Sequence, residues 1–220
     1  MLHSRFPLLT VLFLIATSAA MPLQAADAPQ PGATSHQERE AYAHEFAQSV
    51  VTILHDPKTQ YTNRQNTLRR AFVNSVDTDW IAKFVLGRAW RDATDDQRAR
   101  YTALYGKFLT ETYVTNFAES PAKTIYDIKV LSIVDEPQND FVAHTRMQLM
   151  NQSDLKVDYL VNDNGGHYRV RDIVIENVSL INTHRAEFTQ LAAQQGVDGV
   201  ITRLEQLLKS NPQEMTLTMK

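Results

Sequence analysis

The side chains in this sequence that could do chemistry are histidines, carboxylates and arginines, since cysteine is absent. That absence excludes thiol nucleophiles, CxxC redox motifs, disulfide scaffolds and cysteine-ligated zinc. Seven histidines are present, but none forms an HxxxH pair or an HExxH motif. His184 and Glu187 stand three residues apart, the spacing that di-iron carboxylate proteins use. Such sites need two of these motifs and further glutamates from other helices, so a surface pair is the better reading. Asp77 and Asp79 point to different sides of a helix, and capping of a helix start explains them better than paired acid–base catalysis. Arg169 and Arg171 share one strand face and could touch an anion, although a solvated face is the simpler reading. Asp172 is the candidate for an acid–base carboxylate in a cone of the ketosteroid-isomerase kind, because it falls on an otherwise apolar strand face. The competing role is a structural hydrogen-bonding group. No GxSxG elbow, P-loop or GxGxxG is present, and Gly165-Gly166 belongs to a hairpin.

Composition narrows the classes further. Of 220 residues, 43% are hydrophobic and 21% charged, as in ordinary globular domains. The net charge of −3 lacks the basic excess that phosphate backbones demand, which argues against nucleic acid. At the N-terminus, Arg5 precedes the apolar run Leu8–Ala16 and a small-residue stretch ending at Ala25-Ala26. The run is too short for a membrane span, so residues 1–26 read as a secretory signal peptide. Residues 27–35 (DAPQPGATS) read as a flexible leader, 36–210 as the folded domain, and 211–220 as a loose tail. About 190 mature residues suffice for a core that needs no disulfide.

Which elements would position these groups follows from periodicity. Helical spacing runs from His36 to Phe117. Tyr42, Phe46, Val50, Ile53 and Leu54 form one stripe that Asp56-Pro57 stops, Leu68, Ala71 and Phe72 centre a second, and Asp77–Leu86 forms a third that Gly87 closes. Thr94 and Gln97 fit a capping box at the head of a long amphipathic helix carrying Tyr101, Leu104, Tyr105, Phe108, Leu109, Thr112 and Tyr113. After Pro121 the period becomes two. Tyr126/Ile128/Val130, Phe141/Ala143/Met147/Leu149, Leu155/Val157/Tyr159/Val161 and Tyr168/Val170/Val174 predict four antiparallel strands, with Asn164-Gly165 turning the last hairpin. Ser179 caps a helix closed by Gly196, and Val197–Leu208 forms another. The expected fold is α+β: a four-stranded curved antiparallel sheet with helices packed on one face, enclosing an apolar cavity in the NTF2/cystatin-like manner.

Trp80, Phe84, Trp90, Tyr101, Tyr105, Phe108 and Tyr113 fall within 34 residues. They are either ordinary core or the lining of a cavity that helix and sheet leave open. Gly87-Arg-Ala-Trp90-Arg-Asp-Ala-Thr94-Asp-Asp-Gln97 resembles the G-x-x-W-x-x-A-T-x-x-Q signature of the MlaC, or toluene-tolerance, family of periplasmic lipid carriers. Val170-Arg-Asp172 through Val178-Ser179-Leu180, then Arg185 and Phe188, is similar to the family's V-x-D-x-x-x-x-G-V-S-L stretch, with Asn177 in place of Gly and Tyr168 where Trp is common. Gly196-Val-Asp-Gly199 resembles its closing helix. The resemblance implies a carrier with no cofactor and no catalytic residue, its cargo a phospholipid or, in a related branch, a hopanoid; a monomer is the expected state. It also implies partners in an inner-membrane ABC transporter complex and an outer-membrane lipoprotein complex. The residues expected to line the cavity are Trp80, Phe84, Tyr105, Phe108, Leu109, Val130, Met147, Leu149, Tyr159 and Val174.

Overall fold

The computed structural model of the chain describes residues 34–55, 61–119 and 125–210. The signal peptide, the 211–220 tail and the Asp56-Pro57 stop lie outside the described residues. Of the leader, Thr34 and Ser35 are described, and both are held. The Ser35 hydroxyl and backbone N–H exchange hydrogen bonds with Glu38, the reciprocal arrangement of a capping box. That box starts α1 (His36–His55). Next come α2 (Tyr61–Ser75) and α3 (Thr78–Leu86), the latter capped by Asp77, whose carboxylate accepts from the Trp80 N–H.

One turn, α4 (Ala89–Asp92), and the long α5 (Asp95–Glu119) complete the helical half. Thr94 and Gln97 make the anticipated reciprocal bonds at 3.2 and 3.0 Å. α6 (Leu180–Lys209) is broken at Gly196, whose φ of 69° and ψ of −177° leave the helical region and set its two halves at an angle. Ser179 caps its start, accepting from the Asn182 N–H.

The sheet is antiparallel, in the order β1 (Ile125–Glu136), β2 (Asp140–Leu149), β3 (Leu155–Asn164), β4 (His167–Ile175), β5 (Val178–Ser179). It has five strands rather than four, because two residues ahead of α6 pair back onto Val174 and Ile175. Glu176 and Asn177 turn that corner with φ of 47° and 66°, and Asn accepts this left-handed geometry at low cost.

Bulges decide which side chains meet. An extra residue on one strand reverses the alternation beyond it. In β1 the register skips at Tyr126 and again at Leu131, so both are exposed, at 46% and 54%. The face shared with Leu149, Met147, Thr145 and Ala143 therefore carries Ile125, Ile128, Val130 and Ile133. Tyr126 is thus not the inward residue that simple alternation predicts. In β4 the skip falls at Arg171, so Ile173 and Ile175 oppose Tyr159 and Val157, whereas Asp172 and Val174 oppose Leu160 and Asp158. Asp172 does not share the face of Tyr168 and Tyr159, contrary to the two-residue period.

Candidate functional site

Nine of the ten residues expected to line a cavity belong to or pack against one hydrophobic core, Val174 being the exception, but they do not enclose a common open cavity. Tyr105, Phe108 and Leu109 are 0 to 2% exposed and belong to a closed core between α5 and α6. The Tyr105 hydroxyl meets His184 Nδ1 at 2.9 Å, and Phe188 packs edge-on against both Tyr105 and Phe108. His184 is therefore buried in this core and is not half of a surface pair with Glu187. Burial drives its pKa down to about 4, so the ring is neutral, and it drives the Tyr105 phenol far up. Trp80 and Phe84 stack on each other at 5.1 Å. The Arg171 guanidinium lies 4.7 Å from the Trp80 ring centre and that of Arg185 4.3 Å from Phe84, so each ring of the stack carries a cation. Val174 lies on the other face of the sheet. Val130, Met147, Leu149 and Tyr159 share the inner face, and it is there that a seam exists.

α1 covers that inner face. Its small residues Ala43 and Ala47 let it approach closely, and they surround a void of about 10 Å³ together with Tyr42, Phe46, Ala143, Thr145, Tyr159 and Val161. Phe46 meets Tyr159 edge-on at 5.5 Å, and Tyr42 stacks on Tyr168 at 4.3 Å while standing edge-on to Phe141. Of the apolar side chains packed against the core, Phe46 and Val50 on α1, Leu68 and Phe72 on α2, Tyr113 on α5, and Ile173 and Ile175 on β4 are only half-buried, and of these Phe46 lines the void. Phe72 and Tyr113 stack at 5.8 Å, tying α2 to α5. The α1 stripe is readable in sequence, yet nothing in the sequence says that it faces the sheet rather than the other helices.

Polar groups hold α1 at its two ends. Near its start, Arg39 is 5% exposed and reaches Asp135 at 2.8 Å and Asp163 at 3.0 Å. Burial pushes the Asp163 carboxyl up, but bonds from Thr34, the Gly166 N–H and Arg39 outweigh it and hold the group below the usual carboxylate range. At its other end His55 Nε2 bonds the Ile125 carbonyl oxygen.

The groups whose types suggest chemistry have structural partners. Asp172 accepts from the Ser179 hydroxyl at 2.6 Å and from the Ile173 and Ile181 N–H groups, binding β4 to the head of α6. Burial still raises its pKa against those bonds. Arg171 pairs with Asp77 and Asp140, and Arg169 donates to the Asn74 and Val76 carbonyls. Among the described residues, no three His, Asp or Glu side chains group as metal ligands would, and no helix is long and apolar enough to cross a membrane. A second concavity, of about 710 Å³, runs open along α5 where α2, α3 and α4 face it, from Trp90 to Arg69. It is a surface groove rimmed by Arg98, Lys107 and the Arg69–Glu111 pair, and it does not reach the seam residues.

The motifs that carry the resemblance also find their roles. Gly87 ends α3 at φ 60° with the Arg185 guanidinium packed against it, and Arg185 Nη1 donates to the Phe84 carbonyl at 2.7 Å. Arg98 lies over the Trp90 ring and donates to the Trp90 and Arg91 carbonyls, locking α4 onto α5. A phospholipid-binding protein from Ralstonia solanacearum, solved in complex with a phospholipid, has the same fold. It superposes with a TM-score of 0.60 at 19% identity, over 79% of this chain and 96% of that one. The profile of the MlaC protein family matches residues 44–206, a span running from α1 through all five strands into the second half of α6. With its motifs placed at the joints of the fold, the chain belongs to the MlaC family.

Proposed function

We propose that this protein is a periplasmic carrier that holds a phospholipid with its acyl chains in the seam between α1, α2, α5 and the inner sheet face. The observation that carries this reading is the set of half-buried apolar side chains on α1, α2, α5 and β4 together with the void under α1. A diacyl lipid has on the order of thirty methylenes, so its passage bare through water costs roughly 20 kcal/mol or more. A seam lined mainly by apolar side chains meets that demand. The void of about 10 Å³ has room for about one water molecule, whereas ligand pockets span roughly 300–1,000 Å³, so loading requires α1 to move off the sheet.

Family membership and the phospholipid-bound Ralstonia protein of the same fold support the cargo. The apolar run at residues 8–16 supports export. Shuttling between an outer-membrane lipoprotein complex and an inner-membrane ABC transporter is the role this reading assigns, with the chain acting as a monomer and performing no reaction. Native mass spectrometry followed by organic extraction tests it. A bound mass of one diacyl phospholipid is expected, and a hopanoid would move the protein to the related branch. A folded Leu149→Asp variant is expected to lose most of its lipid. A protein that carries no lipid and takes none from vesicles would end the proposal.

A further inference from the structure

Tyr42 lines the seam, yet its hydroxyl oxygen is buried and has no hydrogen-bond partner among the described residues. Buried hydroxyls are nearly always bonded, because an unmet donor forfeits the bonds it had in water. The neighbouring polar groups are engaged elsewhere. The Tyr168 hydroxyl bonds Thr34 Oγ1, Asp163 takes bonds from Thr34, Arg39 and Gly166, and Arg169 is turned onto the Asn74 and Val76 carbonyls. The phenol is a donor at every physiological pH, since burial raises its pKa to about 12.

With α1 seated on the sheet, its ring is held by the stack on Tyr168, a second stack on Phe46 and the edge contact to Phe141, and in that position the hydroxyl points at none of these neighbours' polar groups. We infer that Tyr42 is the polar anchor of the seam, donating its hydroxyl proton to an oxygen of the bound phospholipid and so fixing how deep the acyl chains lie. This rests on the carrier reading above. An ester carbonyl fits better than a phosphate oxygen. Arg39, the buried cation of α1, is already bonded to Asp135 and Asp163, and a phosphate drawn into the seam would lack a counter-charge.

The test uses the full mature chain, stripped of lipid and titrated with a diester phosphatidylglycerol and with its diether analogue, which keeps the phosphate and lacks both carbonyls. Wild type is expected to bind the diester about five- to tenfold more tightly, the worth of one such bond. Tyr42→Phe should erase that preference by weakening the diester alone. A loss of equal size for both lipids would keep the anchor and make the phosphate its acceptor. Equal affinity of wild type and Tyr42→Phe for each lipid would overturn the inference while leaving the carrier reading intact. Failure of wild type to bind either lipid would instead remove the carrier reading. Thermal unfolding separates the anchor from a structural role. Because the hydroxyl makes no bond to the described residues, lipid-free Tyr42→Phe should melt no lower than lipid-free wild type, and a lower melting temperature would count against the anchor.

Discussion

His184 is an imidazole enclosed by Tyr105, Phe108, Tyr113 and Phe188, where a proton is costly to accommodate. Its pKa of about 4 in the fold lies below the ordinary 6.5, so between those values the unfolded chain binds more protons than the folded one. The His184 contribution to stability should therefore fall as pH drops from about 6.5 to about 4, by an amount on the order of 3 kcal/mol. Urea unfolding of wild type at pH 7 and pH 4.5 measures this. His184→Gln, which keeps an acceptor for the Tyr105 hydroxyl, should show a flatter profile over the same range.

Asp172 allows a second check at this scale. Asp172→Asn turns an amide N–H toward donors and should cost about 1–3 kcal/mol in chemical denaturation while the protein keeps its lipid. An acid–base catalyst would lose turnover with its fold unharmed. Full stability in the variant would contradict a structural role for this carboxylate.

At the scale of elements, α1 carries an ion-pair clamp near its start. Arg39 is buried and Asp163 has no exposed side-chain surface, whereas the Asp135 side chain is 53% exposed. Removing the cation by Arg39→Met strands a buried carboxylate and should cost about 3–5 kcal/mol. Asp135→Asn touches a solvated pair and should cost under about 1 kcal/mol. Thermal unfolding of the two variants separates these, and equal losses would mean that burial does not govern the clamp. α6 offers a parallel case in which geometry is the constraint. A Cβ on Gly199 would lie 2.3 Å from Gln195 Cβ, so the chain on either side of the Gly196 break must shift to admit it. Gly199→Ala should lower the melting temperature by several degrees, the effect of about 1–3 kcal/mol of overpacking.

For the whole molecule, the packing divides into a part that is finished and a part that is not. The aromatic contact between α5 and α6 is sealed, with Tyr101, Tyr105, Phe108 and Phe188 at 0 to 2% exposure. The seam under α1 keeps half-buried aromatics and a small void. Local opening draws on regions with few buried contacts. Hydrogen exchange should accordingly find amides of α1 and the inner strands slowed when phospholipid is added, while those of α5 around Tyr105 change little. Uniform slowing across all helices would mean that lipid acts on global stability instead of on the seam.

How much of this is legible in the sequence depends on the range of the physics involved. Helix limits follow local rules: Thr94 with Gln97, Asp77 ahead of Trp80, and Gly196 as a stop are satisfied within a few residues of chain, and each is where spacing places it. The family motifs are legible for the same reason, since Gly87, Trp90 and Asp172 do local joining work. Face assignment is not. One skipped residue at Tyr126, Leu131 or Arg171 reverses every side chain beyond it, and no composition signal marks a bulge that the partner strand imposes. The aromatic helix reads as a cavity wall because it is the richest apolar stripe, but a stripe records only that a face is buried. Which face meets which, with Tyr105 sealed against His184 and the α1 stripe left over the sheet, is set by contacts between residues far apart in the chain. The sequence by itself determined the elements, their caps and the family; the tertiary structure alone decided where the unfilled apolar space lies, because closure depends on the sum of packing from every layer at once.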